Sequence, residues 1–139
     1  MTRRFALREH TADVAVEAHA DDLGGAFAAV ADGMAAAMCD AVPESGGERF
    51  DVAVSSSTRE RALYDYLDQL IYERDVRGVL PVDNEARVER TDGTWTVAAS
   101  ARGVPLEAVA ARDLKAVTYS EMRIEREDDG WRAYVVFDV

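Results

Sequence analysis

Residues 13–34 read DVAVEAHADDLGGAFAAVADGM, and the apolar period changes inside this stretch. Val14, Val16 and Ala18 alternate with polar neighbours, the two-residue period of a half-buried strand. From residue 21 to 39 the steps lengthen. Leu23, Ala26, Phe27, Val30, Met34 and Met38 recur at three and four residues, which predicts an amphipathic helix with aspartates at its start. A strand feeding directly into a helix fixes a mixed class, and the remaining chain decides between its variants.

Upstream, Phe5 and Leu7 in FALREH (5–10) alternate as well, giving a strand before the first one. Downstream, RFDVAVSS (49–56) is a third strand. STRE (57–60) then fits a capping box from Ser57 to Glu60, opening a second helix along Leu63, Leu67, Leu70 and Ile71, with Gly78 as its stop. NEARVERTDGTWTVAASA (84–101) reads as a hairpin about Asp92-Gly93, with Val88, Trp95, Val97 and Ala99 facing inward. A connector surrounds Pro105. LKAVTYSEMRIE (114–125) and WRAYVVFDV (131–139) follow as two strands joined across Asp129-Gly130. The order ββαβαββββ predicts an α+β fold. It is expected to be one domain over 1–139, a largely antiparallel or mixed sheet with two helices packed together on one face.

The chain has 139 residues, enough for one well-buried core. It carries 27 acidic and 16 basic residues, a net charge of −11, and 15 of those basic residues are arginine. Lys115 is the only lysine. Such a field repels polyphosphate, which argues against strong direct nucleic-acid binding. The acidic, lysine-poor surface resembles adaptation to a salt-rich, halophile-like cytosol. No apolar run reaches the ~20 residues of a membrane span, and MTRRFALREHTADV (1–14) lacks the apolar core of a signal peptide. A soluble, cytoplasmic protein is the expectation. The single cysteine, Cys39, cannot form an internal disulfide and reads as part of a buried helix face.

The last strand carries the chemical question. Trp131, Ala133, Val135 and Phe137 share one face, while Asp138, one residue from the end of the sequence, points to the other. Asp13 likewise points away from Val14 and Val16, and parity groups Lys115 with Val117 and Tyr119. These polar groups converge if their strands are neighbours, which parity does not establish. Two carboxylates make a hard-oxygen site suited to Ca²⁺, Mg²⁺ or Mn²⁺; as ordinary solvated acids they would be two among 27. His10 and His19 lack a metal-ligand spacing, and read as a hydrogen-bonded turn histidine and a surface residue. No catalytic triad order, phosphate loop or Cys/His cluster is present.

EHTADVAVEAHADDLGGAFAAVADGM (9–34) resembles the opening of the archease family, the small protein cofactors of RtcB-type tRNA-splicing RNA ligases. ALYDYLDQLIYERD (62–75), LKAVTYSEMRIE (114–125) and WRAYVVFDV (131–139) are similar to its second helix, central motif and terminus. Many members have histidine at the position of Ser120. The resemblance implies a divalent-metal site formed by Asp13, Asp138 and the main-chain oxygen of Val139, with Ca²⁺ ahead of Mg²⁺ or Mn²⁺. It also places Thr11 and Lys115 with the two aspartates in the ligase-activating cluster. The implied role is non-enzymatic: a transient partner of the ligase that promotes its guanylylation and multiple turnover in tRNA splicing and processing. GTP and Mn²⁺ belong to the ligase. The alternatives from other classes are a small metal-dependent phosphoester hydrolase and a chaperone-like scaffold protein.

Overall fold

The structure is a computed structural model that describes residues 3–9 and 13–139. The elements run β1 (Arg3–Glu9), β2 (Asp13–Ala20), α1 (Leu23–Met38), β3 (Glu48–Ser56), α2 (Arg59–Arg77), β4 (Val79–Thr91), β5 (Thr94–Pro105), a 3₁₀ turn (Leu106–Ala108), β6 (Ala116–Glu127) and β7 (Gly130–Asp138). The order ββαβαββββ and the α+β class are those read from the sequence. The strands divide into two sheets, however, of order β1-β2-β7-β6 and β3-β5-β4, with every pairing antiparallel.

Each helix packs against both sheets, where the sequence reading expected a single sheet. α1 packs on β1, β2 and β7 and also on β4; α2 packs on β3, β4 and β5 and also on β6. Phe27 of α1 and Tyr66 of α2 stack at 6.2 Å between ring centroids. This central position changes the character of α1. Fourteen of its sixteen residues are buried, so it is not amphipathic but apolar or small on all sides, as a helix enclosed by protein must be. Its glycines permit that enclosure. A Cβ on Gly24 would run into the Ala86 carbonyl of β4, and one on Gly33 would meet Val16 Cγ1 at 2.5 Å.

Local signals set the element ends. Asp22 caps α1, its Oδ1 accepting from Gly25 N at 2.6 Å. The cap of α2 is Thr58 rather than Ser57: Thr58 Oγ1 accepts from Arg61 N at 3.1 Å. Gly78 ends that helix in the left-handed region (φ 66°), its N–H donating to Arg74 O at 2.8 Å. The Asp92-Gly93 hairpin turn has positive φ at both residues, 53° and 79°, as a two-residue turn of matching twist requires. Cys39 is buried at the end of α1, where its thiol donates to Ala41 O at 3.5 Å.

A polar cluster enters this interior. Asp32 Oδ1 accepts from Asn84 N (3.0 Å) and Asn84 Nδ2 (2.9 Å), tying α1 to the β4 irregularity between Val82 and Glu85. Burial raises the Asp32 carboxyl above its ordinary range, although the Asn84 bonds and Arg3 oppose that shift. The fully buried Tyr66 phenol is likewise pushed up by desolvation.

Candidate functional site

Strand order answers the question that parity left open. β7 lies between β2 and β6, and at one end of this sheet Asp138 pairs with Asp13 on one side and Ala116 on the other. The next positions inward, Val14 and Phe137, are cross-strand partners on the core side, and Phe137 is fully buried. The two aspartates therefore share the outer face. Directly opposed residues of an antiparallel pair hold their Cβ atoms about 4.5–5.5 Å apart. Asp13 is half-buried and Asp138 exposed.

The strand pairing thus brings Asp13 and Asp138 together, and it brings the Lys115 backbone to them. Lys115 N donates to Asp138 O at 2.8 Å. The side-chain parity expected for Lys115 does not hold. Lys115 precedes β6, in a connector where Leu114 is fully buried and Val117 nearly so, which breaks the two-residue alternation. Lys115 is exposed. Thr11 and His10 lie outside the described residues. Val139, directly after Asp138, is 42% exposed.

Two residues that the sequence reading passed over hold this connector. Arg74, 8% exposed, donates from Nη1 to Leu114 O at 2.9 Å and reaches Met38 Sδ at 3.3 Å. Its Nε pairs with Asp75 at 3.0 Å. Arg112 anchors the other part: its N–H donates to Met38 O at 2.6 Å, and its guanidinium donates to Ala37 O at 2.9 and 3.2 Å. Arg112 also holds the Asp40 carboxyl below the usual carboxylate range through a charge-assisted hydrogen bond. A signal for Arg74 existed, since the stripe Leu63, Leu67, Leu70, Ile71 extrapolates onto position 74.

His19 is not a simple surface residue. At the far end of the same face its Nδ1 lies 2.8 Å from Glu127 Oε1 and its Nε2 3.3 Å from Glu17 Oε1. Arg132 bridges Glu17 (2.8 Å) and Glu125 (2.7 Å). Arg132 thus offsets part of the negative charge on the distal half of the outer face. By contrast, among the described residues no basic side chain comes within ion-pair distance of Asp13 or Asp138. Like charges placed directly opposite one another on adjacent strands repel. A divalent cation would relieve that repulsion, and two carboxylates with a main-chain oxygen next to them are the donors a hard cation takes. Among the described residues no group of three His, Cys, Asp or Glu side chains is placed to hold a metal. The side-chain donors here number two, Asp13 and Asp138, and the remainder would be main-chain oxygen, such as that of Val139, and water. Among the described residues no helix is long and apolar enough to cross a membrane.

Residues 5–139 match the Archease protein family (MTH1598/TM1083). The chain is 35% identical to the archease of Thermococcus gammatolerans and 31% identical to that of Pyrococcus furiosus, in each case over 99% of both chains. The solution structure of Methanobacterium thermoautotrophicum protein 1598 superposes with a TM-score of 0.84 at 28% identity, over 97% of this chain and 98% of that one. A Thermotoga maritima structure described as an archease and possible chaperone shares the fold, with a TM-score of 0.62 at 23% identity over 95% of this chain and 94% of its own. The architecture shared with these structures and the match over nearly the whole length together place this chain in the archease family.

Proposed function

We propose that this chain is a non-enzymatic activator of an RtcB-type tRNA-splicing RNA ligase. The observation that carries the reading is the cross-strand pairing of Asp13 with Asp138 at an exposed sheet end, beside the only lysine of the chain. Asp13, Asp138 and the main-chain oxygen of Val139 hold a divalent ion, Ca²⁺ ahead of Mg²⁺ or Mn²⁺. When bound, the ion supplies positive charge that offsets the repulsion of the two carboxylates. Thr11 and Lys115 complete the cluster presented to the ligase.

What the chain's own residues contribute is placement. Phe137 and Val135 are fully buried and fix the β7 backbone. The Lys115 amide fixes the Asp138 carbonyl. Two acidic groups are thereby held at a sheet end, where they can meet the mouth of a metal- and nucleotide-using active site without entering the core of either protein. A surface that binds and leaves needs a modest interface, in keeping with repeated turnover of the ligase. The acidic surface favours a basic ligase face over free RNA.

The test is single-turnover guanylylation of the purified ligase with GTP and Mn²⁺, with and without this chain at matched salt. Acceleration that Asp138→Asn abolishes supports the reading. An unchanged rate, or phosphoester hydrolysis by the isolated chain, refutes it.

A further inference from the structure

We infer that the solvent face of α2, together with Tyr119 of β6, is the surface on which the ligase docks, through an apolar groove rimmed by basic side chains. The inference rests on the ligase reading above and adds to it the location and chemistry of the contact. At 3.6 residues per turn, Arg61, Tyr64, Asp68, Tyr72 and Val76 fall within an arc of about 120°, along roughly 22 Å of helix. Tyr72 is 57% and Val76 63% exposed, and Tyr119 is 44% exposed beside the same helix. Arg61 lies over the Tyr64 ring at 4.9 Å and near the Tyr119 ring at 5.9 Å. The two tyrosines meet edge to face at 5.7 Å.

Sequence economy does not explain this composition. The opposite stripe of α2 already supplies the core, with Leu63, Leu67 and Leu70 essentially fully buried. Exposed tyrosine and arginine are the residue types that carry binding energy in protein interfaces, and a preformed helix ridge fits a groove without an ordering cost. Charge selects the occupant. Asp68, exposed at the centre of the ridge, has no ion-pair partner among the described residues. A second copy of this chain, also at −11, would bring acid against acid. A basic-rimmed groove would pair Asp68 and cover the tyrosines.

The helix that carries the ridge is also bonded to the connector that carries Lys115. Arg74, on the inner side of the same helix, bonds Leu114 O, and Lys115 follows. Tyr119 belongs to the strand that begins at Ala116, the register partner of Asp138. A partner seated on α2 therefore rests on the helix whose inner side holds the connector leading to that register pair.

The experiment compares calorimetric affinity for the purified ligase of the wild type, Tyr72→Glu/Val76→Glu, Tyr119→Ala, and Ala98→Glu on the exposed face of the other sheet. We expect the double variant to bind about tenfold or more weakly, Tyr119→Ala to be weakened in the same sense, and Ala98→Glu to match the wild type. Thermal midpoints should stay at the wild-type value. Affinity of the double variant within twofold of the wild type overturns the docking surface while leaving the ligase reading intact. Absence of wild-type binding overturns the ligase reading itself. A wild-type dimer in sedimentation that Tyr72→Glu dissociates assigns the ridge to a second copy and overturns the basic-groove partner.

Discussion

Replacing Arg74 by methionine tests whether the core reaches the candidate site through the connector before β6. Arg74 makes two classes of contact. Its bond to Asp75 and its 3.9 Å approach to Asp113 involve carboxylates that are 64% and 79% exposed, so they contribute little. The bond to Leu114 O is buried. Removing its donor leaves that carbonyl without a partner, a cost of about 1–3 kcal/mol. Methionine fills much of the same volume and removes a desolvated charge, which offsets part of the loss. The expected net loss in urea denaturation is therefore about 1–2 kcal/mol, below the cost of an emptied core site. The local effect is more specific. With Leu114 released, the Lys115 N–H loses its fixed approach to Asp138 O. Amide exchange at Lys115 should accelerate beyond the factor set by global stability, whereas exchange at Val135 in the strand centre should follow global stability alone. Equal changes at both amides would refute the idea that Arg74 positions the site.

The remaining expectations follow from the site and the core. Asp13→Asn and Asp138→Asn should each weaken divalent-ion binding sharply, and the double variant should lose scarcely more than the worse single one; additive losses in calorimetry would mean two independent sites. Lys115→Arg should keep its thermal midpoint yet lose most ligase activation, because a planar fork replaces a compact ammonium; full activation would reduce Lys115 to a surface charge. Asp32→Asn tests the buried carboxyl of α1. Its folded pKa lies above the unfolded 3.8, so wild-type stability falls as pH rises through that interval, and ionised Asp32 costs stability at neutral pH. Thermal melts should show Asp32→Asn gaining on the wild type at pH 7, with the difference shrinking as pH drops toward 3.8; a gap independent of pH would contradict this.

Much of the fold was legible because local chemistry and burial pattern agree. The period change at residues 13–34, the Asp92-Gly93 turn and the Gly78 stop each require a specific backbone geometry whatever the neighbours are. The same holds for Phe137 facing inward while Asp138 faces outward, since a strand must alternate. Parity raised the two aspartates as candidates, and the resemblance in residues 9–34, 62–75, 114–125 and 131–139 added the family and the role it implies for them.

Tertiary structure alone decided the rest. A seven-strand pattern is compatible with one sheet or two, because strand periodicity carries no information about which strands pair. The enclosure of α1 came from its small residues, Gly24 and Gly33 among them, meeting β4 and Val16, contacts that helical periodicity does not encode. Asp13 and Asp138 stand 125 positions apart, and only the β2–β7 register sets them opposite one another. Lys115 left its expected parity because Leu114 and Val117 are both buried, with the Leu114 carbonyl held by Arg74 of α2. Sequence by itself determined which side chains were available and which way each strand would face them. Pairing determined which of them met, because hydrogen bonds between strands satisfy any partner, and it is burial of the whole core that selects one register.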